Sequence, residues 1–253
     1  MAHTGRVTLD IYLTHARSGR VMAHLLEPPG LGRWFVDRAR LETELPGVID
    51  AHLAWLQAKG LWPTAASPVV TRVVEENDAE GDFESGDDVG TYAPDLEPLT
   101  DEARDLHLAI AEHAHDDLLA LVARIPPALL QREPRPGTRS LAANLRHVAR
   151  AEIWYLTRII DDPDANGMPA AIARADRDVD ASSDAAEQVR IAWEAFQRYS
   201  REIRIDARAR LFVPTWFCTV TTERWTARKA LRRCIEHCRE HTWVMERTLQ
   251  ALG

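Results

Sequence analysis

From Thr100 to the C-terminus, helical spacing is the only regular apolar pattern, so this part can build a core only by packing helix on helix. In "DEARDLHLAIAEHAHDDLLALVARI", residues Leu106, Ile110, His113, Asp117, Leu121 and Ile125 fall on or beside one stripe, which stops at Pro126-Pro127. A second helix is predicted from about Ser140 to Ile160, after the breaker-rich "REPRPGTR" and before the loop "DDPDANGMP". A third runs from about Asp184 to Arg204, where Asp184 and Glu187 have the spacing of a capping box. A fourth starts at Thr226, a suitable N-cap, and continues to Leu252. Four amphipathic helices of this length predict a four-helix bundle. The connections 125–139 and 161–183 exceed tight bundle turns, so a simple up-down-up-down order is not assured.

The residues before Thr100 follow a different rule. "RVTLDIYLTH" alternates Val7, Leu9, Ile11 and Leu13 on one face, and "VMAHLLE" and "RWFVDRA" supply two more short strands. A helix over about 41–59 presents Leu45, Val48, Ile49, His52, Leu53 and Leu56, with Gly60 where a C-cap belongs. "PVVTRVVEE" is a β-branched fourth strand, and the Gly/Asp-rich stretch after it has room for one more edge strand. The order β-β-β-α-β, with "SGRVMAHLLEPPG" followed by a helix ending "HLAWLQAKG", resembles a HicB-like antitoxin domain over about 90 residues.

Charge separates the halves as well. Eight of the 31 basic and 16 of the 39 acidic residues lie in 1–100, a balance of −8, which leaves 23 of each sign and neutrality in 101–253. "EENDAEGDFESGDD" holds half of those 16 acids and no base, so it reads as a solvated acidic loop that repels nucleic acid. No stretch approaches the roughly 18 apolar residues of a membrane span, and "MAHTGRVTLD" lacks a signal-peptide core, so a cytoplasmic location is expected. Three cysteines, all in the last quarter, make no disulfide framework and read as free thiols or ligands.

The chemistry concentrates in "CIEHCREHTW". Cys234, His237, Cys238 and His241 share an arc of about a third of a turn, on the same side as Ala230, Met245 and Thr248. Imidazoles at i and i+4 can reach one ion, yet one pair cannot close a site that wants three or four donors. His147, on the stripe Ser140, Asn144, His147, Ala151, Trp154 and Arg158, is a candidate from the second helix. A buried imidazole without a partner is costly, so three converging on one core call for a shared explanation.

"LxHVARAExWYL" together with H-x-x-x-H in the last helix resembles the DinB/YfiT-like superfamily over about residues 104–252. That resemblance implies a four-helix bundle with a three-histidine metal site, and His147, His237 and His241 occupy the three ligand positions. Cys234 and Cys238 read as small core residues, with Cys238 also a candidate fourth ligand or redox-sensitive neighbour. His113 reads either as a packed histidine or as a fourth ligand or substrate contact. Trp154 and Tyr155 wall the core or a pocket. Glu236 and Glu240 point about 100° away from the ligands and read as surface or supporting groups, and no side chain is singled out as the catalytic acid or base. His107 and His115 show no convergent pattern.

The two resemblances imply an α+β, two-domain chain: a HicB-like α/β domain with an acidic loop at 1–98, then an all-α DinB-like four-helix bundle at 99–253. Three neutral imidazoles leave an open position on a divalent metal, with zinc expected first and nickel or iron also compatible. The function expected is metal-dependent chemistry on a small molecule or low-molecular-weight thiol: thiol transfer or hydrolysis by a metal-activated thiol or water. A homodimer is implied by family analogy alone. The alternative is a non-enzymatic metal-binding regulatory or interaction protein that uses the HicB-like domain. Against an antitoxin role, the chain has neither an evident helix-turn-helix nor a basic patch.

Overall fold

The computed structural model describes residues 7–63, 69–81, 83, 89–161 and 167–252. They form two compact units, Met1–Pro94 and Asp95–Gly253.

In the first unit, β1 (Val7–His15), β2 (Val21–Leu25) and β3 (Leu31–Phe35) precede helix α1 (Arg38–Ala58) and β4 (Val69–Asp78). The sheet order is β3-β2-β1-β4, with β1 antiparallel to β2 and parallel to β4. The period-two face of β1 (Leu9, Ile11, Leu13) meets Leu41, Leu45, Ile49 and Leu53 of α1 in one core. Asp37 starts α1 by accepting a hydrogen bond from the Arg40 amide at 2.8 Å. The expected β-β-β-α-β order is therefore present. The extra edge strand after β4 falls on a stretch that lies largely outside the described residues.

The second unit is helical. Its long helices are α2 (Asp101–Val122), α4 (Leu141–Thr157), α6 (Ala185–Glu202) and α8 (Ala227–Leu252). Short helices α3 (Pro127–Leu130) and α7 (Ile205–Arg208) lie in the connections, as does α5 (Ala170–Ala181). Helix α5 lies inside 161–183, where the sequence predicts only a connection. Ile172, Ala175 and Val179 give it a narrow buried stripe among charged neighbours, and the Gln188 amide closes its end by donating to the Val179 and Ser182 carbonyls at 2.8 and 2.7 Å.

Caps fix the register of the long helices. Thr100 accepts from the Ala103 amide, Ser140 from Ala143, and Thr226 from Lys229 at 3.1 Å. Asp184 accepts from Ala186 and Glu187, but its own amide donates to Ser182, so the expected reciprocal box stays half-formed. Among the long helices the extensive pairings are α2 with α8, α8 with α4, and α4 with α6, and α2 also touches α6. Successive long helices α2 and α4 therefore stand diagonally across the bundle, which departs from a simple up-down-up-down ring. No described helix is long and apolar enough to cross a membrane.

Candidate metal centre

Helix α8 carries most of the chemistry, and from Lys229 through Cys238 it is buried on every side. Charged residues there survive burial by pairing. The Arg232 guanidinium donates to both Asp95 carboxylate oxygens at 2.9 and 2.7 Å and to Glu236 at 3.1 Å. Arg233 donates to Glu236 at 2.7 Å, and Lys229 to Glu223 at 3.1 Å. Glu236 is thus wholly buried and ion-paired, and a surface position for it is overturned. The reason is that the segment before α2 covers this face of α8 and brings Asp95, which helical spacing alone does not reveal.

The opposite face carries the histidines. One nitrogen from each of His147, His237 and His241 lies within 4.8 Å of the other two. The Nε2 atoms of His147 and His237 are 3.1 Å apart, and the ring centroids are 4.4–4.9 Å apart. Burial pushes His147 down to about 4, helped by the Arg139 charge. Burial also pushes His241 down to about 3, helped by His147, Arg139 and Arg233. His237 falls well below the ordinary histidine value, first through burial and then through its two ring neighbours. All three imidazoles are therefore neutral at pH 7, the form that donates a lone pair to a metal.

This cluster fits a divalent cation. Imidazole nitrogens bound at about 2.0–2.1 Å on tetrahedral zinc stand roughly 3.3 Å apart, close to the 3.1 Å contact. Without a cation, three lone-pair-bearing rings crowd a buried space, and Nδ1 of both His237 and His241 is buried with no partner among the described residues. Tyr155, itself buried, sets its ring edge-on to His237 at 5.8 Å and walls the cluster. Trp154 stands one ring farther out. It packs on Tyr155 and Trp225, takes the Arg158 guanidinium over its face, and donates from its indole to the Phe217 carbonyl at 2.6 Å.

The remaining candidates fall elsewhere. His113 is half-buried and joins no described metal-type cluster; two residues on, His115 is the histidine that turns inward. The apolar stripe of α2 runs through Leu108, Ala111, His115, Leu118 and Val122, while Leu106, assigned to the core from sequence, is 40% exposed. Cys238 is buried against the His115 ring and is no member of the three-histidine group. His115, Glu152 and Cys234 form a second buried group that the sequence reading missed. The available signals were a glutamate whose neighbours on the same face of α4, Leu145, Val148, Ala149 and Leu156, are all apolar, and two histidines spaced so that only one can face the core.

A helical bundle that draws three neutral imidazoles together from two of its helices defines a class of candidate metalloproteins. The sequence profile of the DinB superfamily matches residues 110–245, more than half of the chain. The chain belongs to that superfamily. No curated protein matches it significantly. Among solved structures, it is similar to one reported as "YfiT from Bacillus subtilis is a probable metal-dependent hydrolase with an unusual four-helix bundle topology". That match has 17% identity and a TM-score of 0.45, and covers 65% of this chain and 95% of the other.

Proposed function

We propose that this protein is a metal-dependent enzyme of the DinB type, in which His147, His237 and His241 hold a divalent ion, most suitably zinc, for thiol transfer or hydrolysis on a small molecule. The observation that carries the reading is the convergence of three desolvated, neutral imidazoles from α4 and α8. A divalent ion bound by three imidazoles has a position left for water or a thiol, lowers the pKa of that group, and polarises an electrophile.

The protein's own groups prepare that chemistry. Burial of His237 and the Tyr155 ring excludes bulk water on the inner side. Arg139 and Arg233 place positive charge near the rings, which keeps them unprotonated and favours the anionic form of an incoming thiol or water. Salt bridges on the far face of α8 hold the helix in the phase that aims His237 and His241 at His147.

The N-terminal unit is proposed as a HicB-like module, supported by its strand and helix order and its sequence motif. A cytoplasmic location, a low-molecular-weight thiol or other small-molecule partner, and a homodimer belong to the same proposal.

The test is metal content. Untagged protein is expected to hold a stoichiometric divalent ion at the three-histidine group. His147→Ala combined with His237→Ala should remove it while the helical circular dichroism is preserved. A folded double variant that keeps the ion at that group would sink the assignment.

A further inference from the structure

The second cluster lies where all four long helices meet. His115 comes from α2, Glu152 from α4 and Cys234 from α8, and Trp193 of α6 stacks on the His115 ring at 4.1 Å with the planes 12° apart. All three polar residues are at most 1% exposed. One ligand-type atom from each lies within 4.8 Å of the others, and the Cys238 thiol borders the same imidazole.

Hydrogen bonding fixes the state of that ring. His115 Nδ1 sits 2.7 Å from the Ala111 carbonyl, which can only accept, so Nδ1 carries the proton. In the neutral ring Nε2 then presents its lone pair to Glu152 Oε1 at 2.5 Å. Two acceptors cannot face each other at that distance in a buried site without a positive charge between them. A proton meets that need, but Glu152 Oε2 stays buried without a hydrogen-bond partner among the described residues, and the Cys234 sulfur beside the pair is given no role. An imidazole whose other nitrogen is anchored to a backbone carbonyl is the arrangement that orients a metal-ligating histidine.

We propose that His115, Glu152 and Cys234 form a second, closed metal site at the bundle centre, suited to zinc or another thiolate-binding divalent ion, with Cys238 as the adjoining fourth donor. Nitrogen, carboxylate and thiolate donors at bond lengths of about 2.0–2.3 Å match that class of ion. As the ion enters, the proton shared by His115 and Glu152 and the thiol protons of Cys234 and Cys238 leave, so one dication replaces three protons and the core becomes more negative by one unit. The His115–Glu152 contact opens by about 0.8 Å to reach the donor spacing of a tetrahedral ion. A site closed by four helices serves stability, unlike the three-histidine group with its partly buried His147 and His241.

The decisive variant removes the other site. His147→Ala/His237→Ala/His241→Ala protein, produced with zinc in the medium, is expected to keep one equivalent of zinc. Adding Cys234→Ser should lower that to none. Cobalt in place of zinc should give a near-ultraviolet thiolate-to-cobalt charge-transfer band that the serine change abolishes. A folded triple variant without zinc, or one whose cobalt spectrum lacks that band, overturns the proposal. Should these variants fail to fold, X-ray absorption on zinc-loaded Cys218→Ser protein decides. A sulfur shell near about 2.3 Å upholds the site, and a shell of nitrogen and oxygen alone refutes it. One equivalent of zinc with a sulfur shell upholds this site while sinking the three-histidine reading.

Discussion

Replacing Asp95 by asparagine tests whether the far face of α8 holds the candidate centre in place. Asp95 is wholly buried, and it accepts twice from Arg232, itself 1% exposed. Around it, Arg232 and Arg233 are balanced by Asp95 and Glu236, two charges of each sign. The amide side chain keeps the shape of the carboxylate but leaves a net positive charge in the interior. Breaking a buried pair by removing one partner costs about 3–5 kcal/mol. Because Arg232 retains Glu236, the lower end, about 3 kcal/mol, is expected. For a unit of this size that is a fall of roughly 6–12 °C in the melting temperature of the helical signal. The control is Asp95→Leu with Arg232→Met, which removes both charges and should recover most of the loss. The assay is thermal and urea unfolding followed by far-ultraviolet circular dichroism, with metal content measured alongside. A cost below about 1 kcal/mol for Asp95→Asn, or a double variant less stable than the single one, would refute the reasoning.

Other perturbations address the site and its supports. In metal-free protein, the depressed pKa values of His147 (about 4) and His241 (about 3) mean that the unfolded chain binds protons near pH 6.5 while the folded one does not. Their effect is therefore that stability falls as pH drops from about 6.5 towards 4, read as a lower urea midpoint. His115, whose pKa is raised, contributes with the opposite sign, so the slope is taken as the difference from His147→Ala/His241→Ala protein; a slope equal in both proteins would contradict the neutral-imidazole picture. Thr226→Ala removes both the cap on the Lys229 amide and the hydrogen bond donated to the Asp95 carbonyl at 2.6 Å. A loss of about 1–2 kcal/mol is expected in urea unfolding, and no change would show that the cap does not set the start of α8.

Much of the bundle was legible because its signals are local. Stop residues, caps and long apolar stripes located α2, α4, α6 and α8 within a few residues, and the i, i+4 pair on α8 with the inward His147 indicated which histidines would meet. What failed depended on partners distant in sequence. Helix α2 has small or apolar residues on several faces, and counting Leu106 into the core rotated the reading towards His113 and away from His115. Glu236 resembles a surface residue until Asp95, 141 positions earlier, is seen to bring a buried counter-charge to Arg232. Helix α5 is short and its stripe is only three residues wide, so its burial depends on Gln188 and the neighbouring helices.

Helix α8 presents His237 and His241 to one cluster and Cys234 to another from a single 26-residue rod. A one-residue insertion between Thr226 and Arg233 would turn everything beyond it by about 100° and advance it by about 1.5 Å. Both clusters would be dismantled by that one event, while each sequence motif stayed intact on paper. A length change in the connection 123–140 leaves that phase untouched, whereas the distance from the Thr226 cap to His241 behaves as a ruler that must keep its length.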